Sequence, residues 1–584
     1  MASTPVPDMP YMHLVESTGE VKFSSPEVDY PLYIKALGNL TVKFGNTYEY
    51  SKDNVTWTSA TSSTSISAVA GERVFFRASG LTASSSKGIG SFTISNGDCN
   101  VGGNIMSMVY GADFKGKTEI TQAYQFYRLF YISSATSTSN MRIIDASGLA
   151  LPATAMTNYC YAYMFYNQQK LTSSPALPAT TLATYCYLYM FYNCSSLVNA
   201  HALPATTLTE SCYYNMFYGC SSLVNAPTLP ATTLANNCYR YMFYNCTSLR
   251  NAPALPATTL ATQCYQYMFY GCSSLTTAPE LPAITLTESC YGYMFQGCTN
   301  LVNAPVLPAT TLAKSCYSHM LSGTNFLPDC SNIDFDSYSV VSKGALIGLF
   351  AGTRVRDEDL AEILPINADG KYCLPYSSTS SNCYQYMFQG CINLVTAPEL
   401  PATTLLQYCY SYMFDGCTSL VNAPALPVTK AAQYCYEYMF RGCTSLVNAP
   451  ALPATTLATQ CYQYMFYGCT SLVNAPALPA TTLAQYCYTF MFYGCTSLVN
   501  APELPATTLA SYCYKYMFLS CSKLSYIKAM FTTAPSSSSN GHTYRWVEGV
   551  SSTGTFVKNS AATWADIFGT YAIPEGWTVE LADA

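Results

Sequence analysis

The sequence predicts an α/β repeat solenoid of 26-residue units, preceded by a small β-sandwich and closed by a C-terminal cap. Three observations predict it. Cys-Tyr recurs at Cys186, Cys212, Cys238, Cys264, Cys290 and Cys316, each 26 residues after the last, with Cys160 one period earlier. A second series at the same spacing runs through Cys383, Cys409, Cys435, Cys461, Cys487 and Cys513. Composition agrees: 584 residues are 50% apolar and 10% charged, with 52 Tyr and 27 Cys, where an ordinary soluble chain is roughly 25% charged. A fixed period of this size means units that bury their apolar faces only against their neighbours.

The elements follow in order. Residues 1–25 are a Pro-rich arm too polar to pack alone, disordered or ordering on a partner. Residues 26–100 alternate in short runs (Thr41-Val-Lys-Phe, Arg73-Val-Phe-Phe-Arg) broken by Gly, Asn and Ser, a β-sandwich pattern. Residues 101–322 carry the first array and 383–530 the second. The unit reads C-Y-x-Y-M-F-x-G-C-x-S-L-V-N-A-P-x-L-P-A-T-T-L-A-x-x. Tyr265, Met268 and Phe269 fall at i, i+3, i+4 and predict a short helix. Gly271 suits a left-handed helix end. Proline then disfavours helix, so a short strand is expected around Leu-Val-Asn, with Leu223 and Leu229 inward, and the threonines supply cap hydroxyls. Residues 323–382 read as two longer turns of the same solenoid, with an exposed helix over 354–362; the alternative is a hinge between two rigid arrays. Residues 531–584 have no repeat and read as the cap that a solenoid end requires.

The block Tyr267-Met-Phe-Tyr-Gly-Cys272 to Leu275, with Pro282, resembles the BspA-like (Treponema-type) leucine-rich repeat. Phe269 matches the Phe of that pattern, Cys272 its Cys, Leu275 its first strand Leu and Pro282 the Pro after the strand. This version is about three residues longer, has Ala-Pro inside the strand and adds Cys-Tyr upstream. The resemblance covers roughly residues 104–530 and implies a leucine-rich-repeat-type solenoid. It implies no single function, because such repeats carry many partners.

The paired cysteines of each unit, C-x7-C, lack the two-to-four-residue ligand spacing of structural zinc. A disulfide within a unit would have to cross roughly 8–12 Å of helix. Stacking in two buried thiol columns is the expectation. No catalytic, cofactor or metal residues are expected. His13, His201, His319 and His542 sit in unrelated contexts. Glu280, Glu399 and Glu503 share one repeat position but have uncharged neighbours such as Ala254 and Val306, so they read as decoration and not as a carboxylate dyad. A net charge of −6 without basic clusters argues against nucleic acid. The richest apolar run, Ala345–Gly352, is too short to span a membrane. The N-terminus shows no basic region followed by an apolar run, so no export signal is read.

What remains is surface. Variation concentrates between the two tyrosines (Leu188, Tyr214, Arg240, Gln266, Gly292, Glu437, Lys515), expected at solvent on the helical side. The strand side repeats one chemistry and gives the candidate ligand-facing residues Asn199, Asn225, Asn251, Asn303, Asn422, Asn448, Asn474 and Asn500. A surface of that kind suits a repetitive ligand such as a glycan, with Tyr rings stacking on sugars, or self-association; the alternative is that most tyrosines simply fill the solenoid. About 17 rungs at roughly 4.8 Å would reach on the order of 80 Å. Similar arrays with a tail like Trp546–Lys558 resemble proteins of phages infecting gut Bacteroidetes and of their hosts. That resemblance implies a non-enzymatic virion fibre or receptor-binding protein. Its partners would be a host cell-surface glycan or protein and, through the N-terminal region, other virion proteins, in a trimer. The alternative is a bacterial surface or secreted adhesin.

Overall fold

Alternating runs near the N-terminus fold into eight strands: β1 (Leu32–Ala36), β2 (Leu40–Phe44), β3 (Tyr48–Ser51), β4 (Thr58–Ala60), β5 (Ile66–Ala68), β6 (Arg73–Arg77), β7 (Phe92–Ser95) and β8 (Cys99–Asn104). The structure is a computed structural model and describes residues 26–133, 142–324, 340–364, 366–374 and 381–582. The expected arm, 1–25, lies outside the described residues. One antiparallel sheet runs β4-β3-β6-β1-β8 and a second β5-β2-β7. Phe76 of β6 meets Phe92 of β7 with ring centroids 4.9 Å apart, so inward side chains of the two sheets form one core.

The outer edge of β8 is taken by β9 (Ile143–Ala150), which lies parallel to it. From β9 a column of parallel single-residue bridges runs Asp145–Ser173–Asn199–Asn225. The N-terminal sheet is therefore the template on which the first coils are laid. Gly103 is required there: its φ is +77°, and a Cβ would run into the Pro31 carbonyl.

The described chain divides into two units, one of residues up to 205 with 219–229, the other of 206–218 with 230 onward. Both are built from the same coil, seen well in the second unit at Gln460–Leu472. The helix expected here is absent. The segment is a run of consecutive turns in which every second N–H donates to the carbonyl three residues back: Cys461 to Ala458, Gln463 to Gln460, Met465 to Tyr462, Tyr467 to Tyr464 and Cys469 to Phe466, at 3.1–3.4 Å. The alternate N–H groups point along the stacking direction to the next coil: Gln460 to Gln485, Tyr462 to Cys487, Tyr464 to Thr489, Phe466 to Met491 and Gly468 to Tyr493, at 2.7–3.1 Å. Every fourth residue has positive φ, here Gln460 (59°), Tyr464 (59°) and Gly468 (72°). Alternate turns thus have a left-handed third residue, as in type II turns.

The expected strand is reduced to one bridged residue per coil, because the following proline has no N–H to extend a ladder. In the second unit these bridges run Asn251–Thr277–Asn303, Thr396–Asn422 and Asn448–Asn474–Asn500–Tyr526. A second column passes through the second threonine of the unit, Thr207–Thr233–Thr259–Thr285. Leu223 and Leu229 are buried, as are Leu472 and Leu478 of the later copies.

After β10 (Thr311–Leu312) and its parallel partner β11 (Val340–Val341), a coil at 343–352 receives the N–H groups of Tyr317, His319 and Leu321 and donates to 385–389. Helix α2 (Asp357–Ile363; α1 is the single turn Ser107–Tyr110 after β8) follows on the excursion back to Cys383. Residues beyond 531, though lacking the motif, continue the stacking. Tyr514, Tyr516 and Phe518 donate to His542, Tyr544 and Trp546, and β12 (Tyr526–Ala529), β13 (Thr555–Lys558) and β14 (Thr578–Leu581) form a parallel sheet.

Candidate functional site

Inside each coil, the residues between left-handed positions point inward in pairs: Cys461 and Tyr462, Met465 and Phe466, then Cys469, all essentially inaccessible. Phe466 stacks between Phe440 and Phe492 at 5.7 and 5.6 Å, and Tyr462 between Tyr436 and Tyr488 at 5.6 and 5.9 Å. The second cysteine column has a defined role. The Phe466 carbonyl accepts the Cys469 N–H from its own turn at 3.1 Å. It also accepts the Cys495 thiol from the next coil at 3.1 Å. The same thiol contact recurs at Cys220–Phe191, Cys272–Phe243, Cys417–Phe388 and Cys443–Phe414. All 26 cysteines of the described residues are free thiols, and only Cys373 is not buried. Cys330 lies outside the described residues. Burial pushes the Cys469 thiol up to about 12, so these groups are neutral donors and not nucleophiles.

On the turn side, half-exposed tyrosines form columns. Tyr386, Tyr412, Tyr438, Tyr464, Phe490 and Tyr516 stack in sequence with centroids 4.2–4.7 Å apart. Tyr467 and Tyr493 stack beside them at 4.5 Å. The ring faces are therefore covered by other rings, and solvent meets edges and hydroxyls. Stacking of a sugar on an open Tyr face, expected from composition, has no open face to use within these columns.

The variable position between the two tyrosines does not point freely to solvent. Leu188, Gln266 and Gly292 are buried, and Tyr214, Arg240, Glu437 and Lys515 are half-buried. Because the residue after it turns left-handed, this side chain is folded back among the aromatic columns. Glu437 shows the consequence: it makes no ion pair among the described residues, and burial pushes its carboxyl up to about 7. Asp415, also buried, is instead held by Nε and Nη2 of Arg441, each at 2.7 Å, and by Gln389 at 2.9 Å.

The bridge side is where the candidate asparagines stand. Asn225, Asn251, Asn303, Asn422, Asn448, Asn474 and Asn500 are exposed and Asn199 is half-buried. Their backbones make the parallel bridges, which hold the side chains in register. The Asn474 amide donates to the Asn448 carbonyl oxygen at 2.6 Å and Asn422 to the Thr396 hydroxyl at 3.1 Å. Sequence reasoning missed the neighbours. Val421, Val447, Val473 and Val499 are exposed beside the asparagines, and Thr455, Thr456, Thr481 and Thr482 are exposed beyond the prolines. These threonines were expected to cap helices; without a helix to cap, their side chains face solvent. From Val447 to Thr482 this face is uncharged.

The acidic residues sharing the position before Leu are not brought together: Glu399 pairs with Lys371 at 2.7 Å and Glu503 with Lys528 at 3.2 Å, while Glu280 is exposed. His201 contacts the Ser174 hydroxyl at 3.3 Å, and His319 lies in an aromatic column, 4.9 Å from Tyr293; burial pushes both down to about 4. His13 lies outside the described residues. Among the described residues no group of His, Cys, Asp or Glu is arranged to hold a metal ion, and no helix is long and apolar enough to cross a membrane.

The coil, with its inward Phe, Cys and Leu columns and its columns of single-residue parallel bridges, defines a leucine-rich-repeat protein. More specifically, the chain belongs to the BspA type leucine rich repeat family, whose model matches residues 158–302, 237–339, 374–475 and 455–539, more than half of the chain. Among solved structures, it is similar to a leucine rich cell surface protein of Faecalibacterium prausnitzii A2-165. The identity is 13% and the TM-score 0.32, over 75% of this chain and 92% of that one. A TLR13–ssRNA13 complex matches at 13% identity and TM-score 0.21, over 74% of this chain and 49% of that one. No curated protein matches.

Proposed function

We propose that this chain is a non-enzymatic binding protein whose bridge face, Asn422 to Asn500 with the flanking valines and threonines, holds a hydroxyl-rich cell-surface polymer, a glycan. The observation that carries this reading is the exposure, in register, of one chemistry on successive coils, uncharged from Val447 to Thr482 and bordered by the exposed Lys430 and Glu503. Amides and hydroxyls both donate and accept hydrogen bonds, and the valines beside them offer apolar area to the ring faces of a sugar. A repeating ligand can meet the same contact again on each coil, so weak contacts add along one chain. The N-terminal β-sandwich serves as an attachment domain and the segment from 531 as the cap.

Two settings fit such a protein. Membership of the BspA-type family favours a bacterial surface or secreted adhesin. A virion fibre, joined to its particle through the N-terminal region and assembled as a trimer, is the second reading, supported by the resemblance of the array and of the Trp546–Lys558 tail to phage proteins. Immunogold labelling of cells and of purified particles separates them: label on the envelope supports the first, label on particles the second. For the ligand, the full chain is applied to a glycan array; retention on neutral polysaccharides supports the reading, and retention on none refutes it.

A further inference from the structure

We infer that the cavity between the excursion (residues 356–364 and 366–374) and the start of the second array is a terminal subsite, which takes the end residue of the glycan chain lying on the bridge face. This rests on the proposed function and adds a polarity to it. The bridge column begins afresh at Thr396, which pairs onward with Asn422. In later coils the equivalent N–H groups find a carbonyl of the coil before, as Val473 does at Val447. At Val395 and Thr396 they find the Asp357 side chain instead, whose Oδ1 accepts both at 2.9 Å. Asp357 thus closes the column, and the chain behind it rises as a wall across one end of the strip.

Against that wall lies a cavity of about 500 Å³ lined by Asp357, Lys371, Tyr372, Thr396, Glu399 and Asn422, among others. Its size is that of a small-molecule pocket. Its polar groups are mostly acceptors. The Asn422 backbone carbonyl accepts the Ala397 N–H at 3.0 Å and Asp357 Oδ1 the two N–H groups above, which leaves Asp357 Oδ2 and Asn422 Oδ1 as side-chain acceptors at the cavity. Glu399 is held from one side by Lys371 Nζ at 2.7 Å. A cluster of acceptors with one ammonium suits a ligand rich in hydroxyl donors, and carries no excess positive charge to attract an acidic one. Asn422 belongs both to this cavity and to the asparagine column, so a chain on the strip enters it without a break. An extended ligand therefore has one orientation in which its end is read.

The test uses the full chain and linear glucan, mannan and xylan oligosaccharides of increasing length, each with free ends or with one end blocked by methylation. Titration calorimetry is run on the wild type, on Glu399→Gln and on Asn474→Ala, each checked for an unchanged melting curve; Lys371→Met is a second cavity variant. The expected result has three parts. Glu399→Gln weakens the shortest oligosaccharides by about tenfold or more, the loss typical of a hydrogen bond to a charged group. Blocking one end, and not the other, does the same to the wild type. Asn474→Ala weakens only the longer chains. Length-dependent binding that ignores both cavity variants and end-blocking overturns the terminal subsite and leaves the strip intact. Binding of no oligosaccharide, or capture only of a basic peptide released by salt, overturns both.

Discussion

At the residue scale, the cysteines are the clearest case of chemistry legible in part. Stacked thiol columns followed from spacing alone; the hydrogen bond to the Phe carbonyl did not, because it joins residues 29 apart and depends on turn geometry. Ellman's reagent should label Cys373 in the native chain and leave the other 25 described cysteines unreacted, while all 27 titrate after denaturation without reductant. A denatured count near zero would mean disulfides. Glu437 gives a pH dependence. Its carboxyl is pushed up to about 7 by burial, above the roughly 4.3 of an exposed glutamate. The folded state binds the extra proton, so its stability contribution is full below about 4.3 and is lost as pH rises through about 7. The groups around it are Tyr386, Tyr408, Tyr412, Tyr438 and Tyr464, with Arg441 engaged by Asp415. Glu437→Gln should stabilise the protein at pH 8 by on the order of 1 kcal/mol, discounted for partial exposure, and leave it unchanged at pH 4. Equal melting temperatures for variant and wild type at pH 8 would refute this.

At the scale of the element, the helix expected at Tyr265–Tyr270 and the turn stack found there share one sequence signature. Inward pairs every four residues and a helical face at i, i+3, i+4 differ by less than one residue over two turns. What separates them is the left-handed position. Gly271 was read as ending a helix; it is the third of three such positions in its unit, after Gln263 and Tyr267. Tyrosine is a poor choice for positive φ, at a cost of about 1 kcal/mol or more. Ring stacking offsets about 0.5–1.5 kcal/mol of it per pair, and the ladder between coils holds the backbone. Phe490 occupies the same position naturally, with φ 58°. Tyr464→Phe should therefore change stability by less than about 0.5 kcal/mol. Tyr464→Val, β-branched and unable to stack, should cost about 2–4 kcal/mol by urea denaturation. Similar losses for the two would contradict the left-handed stack. The buried variable position is part of the same lesson: a helix would have turned Gln266 outward, and the left-handed Tyr267 folds it in.

At the scale of the whole molecule, the repeat period and the inward leucines were legible, because each is set by a pattern repeated many times. The excursion was legible as an exposed helix at 354–362 but not as a wall, since Asp357 meets Val395 only once the coils are stacked. The exposed position of most of the candidate asparagines was legible from their recurrence in most copies. The threonines beside them were not, because their expected role depended on a helix that is absent. The central claim is that the bridge face is the binding surface. Asn448, Asn474 and Asn500 are replaced together by Ala in the full chain, and affinity for the polysaccharide best retained on the array is measured beside the melting curve. The account predicts a loss of about a hundredfold or more, near 1 kcal/mol of hydrogen bonding per coil, with melting unchanged within a few degrees. Undiminished binding by the folded triple variant would contradict it.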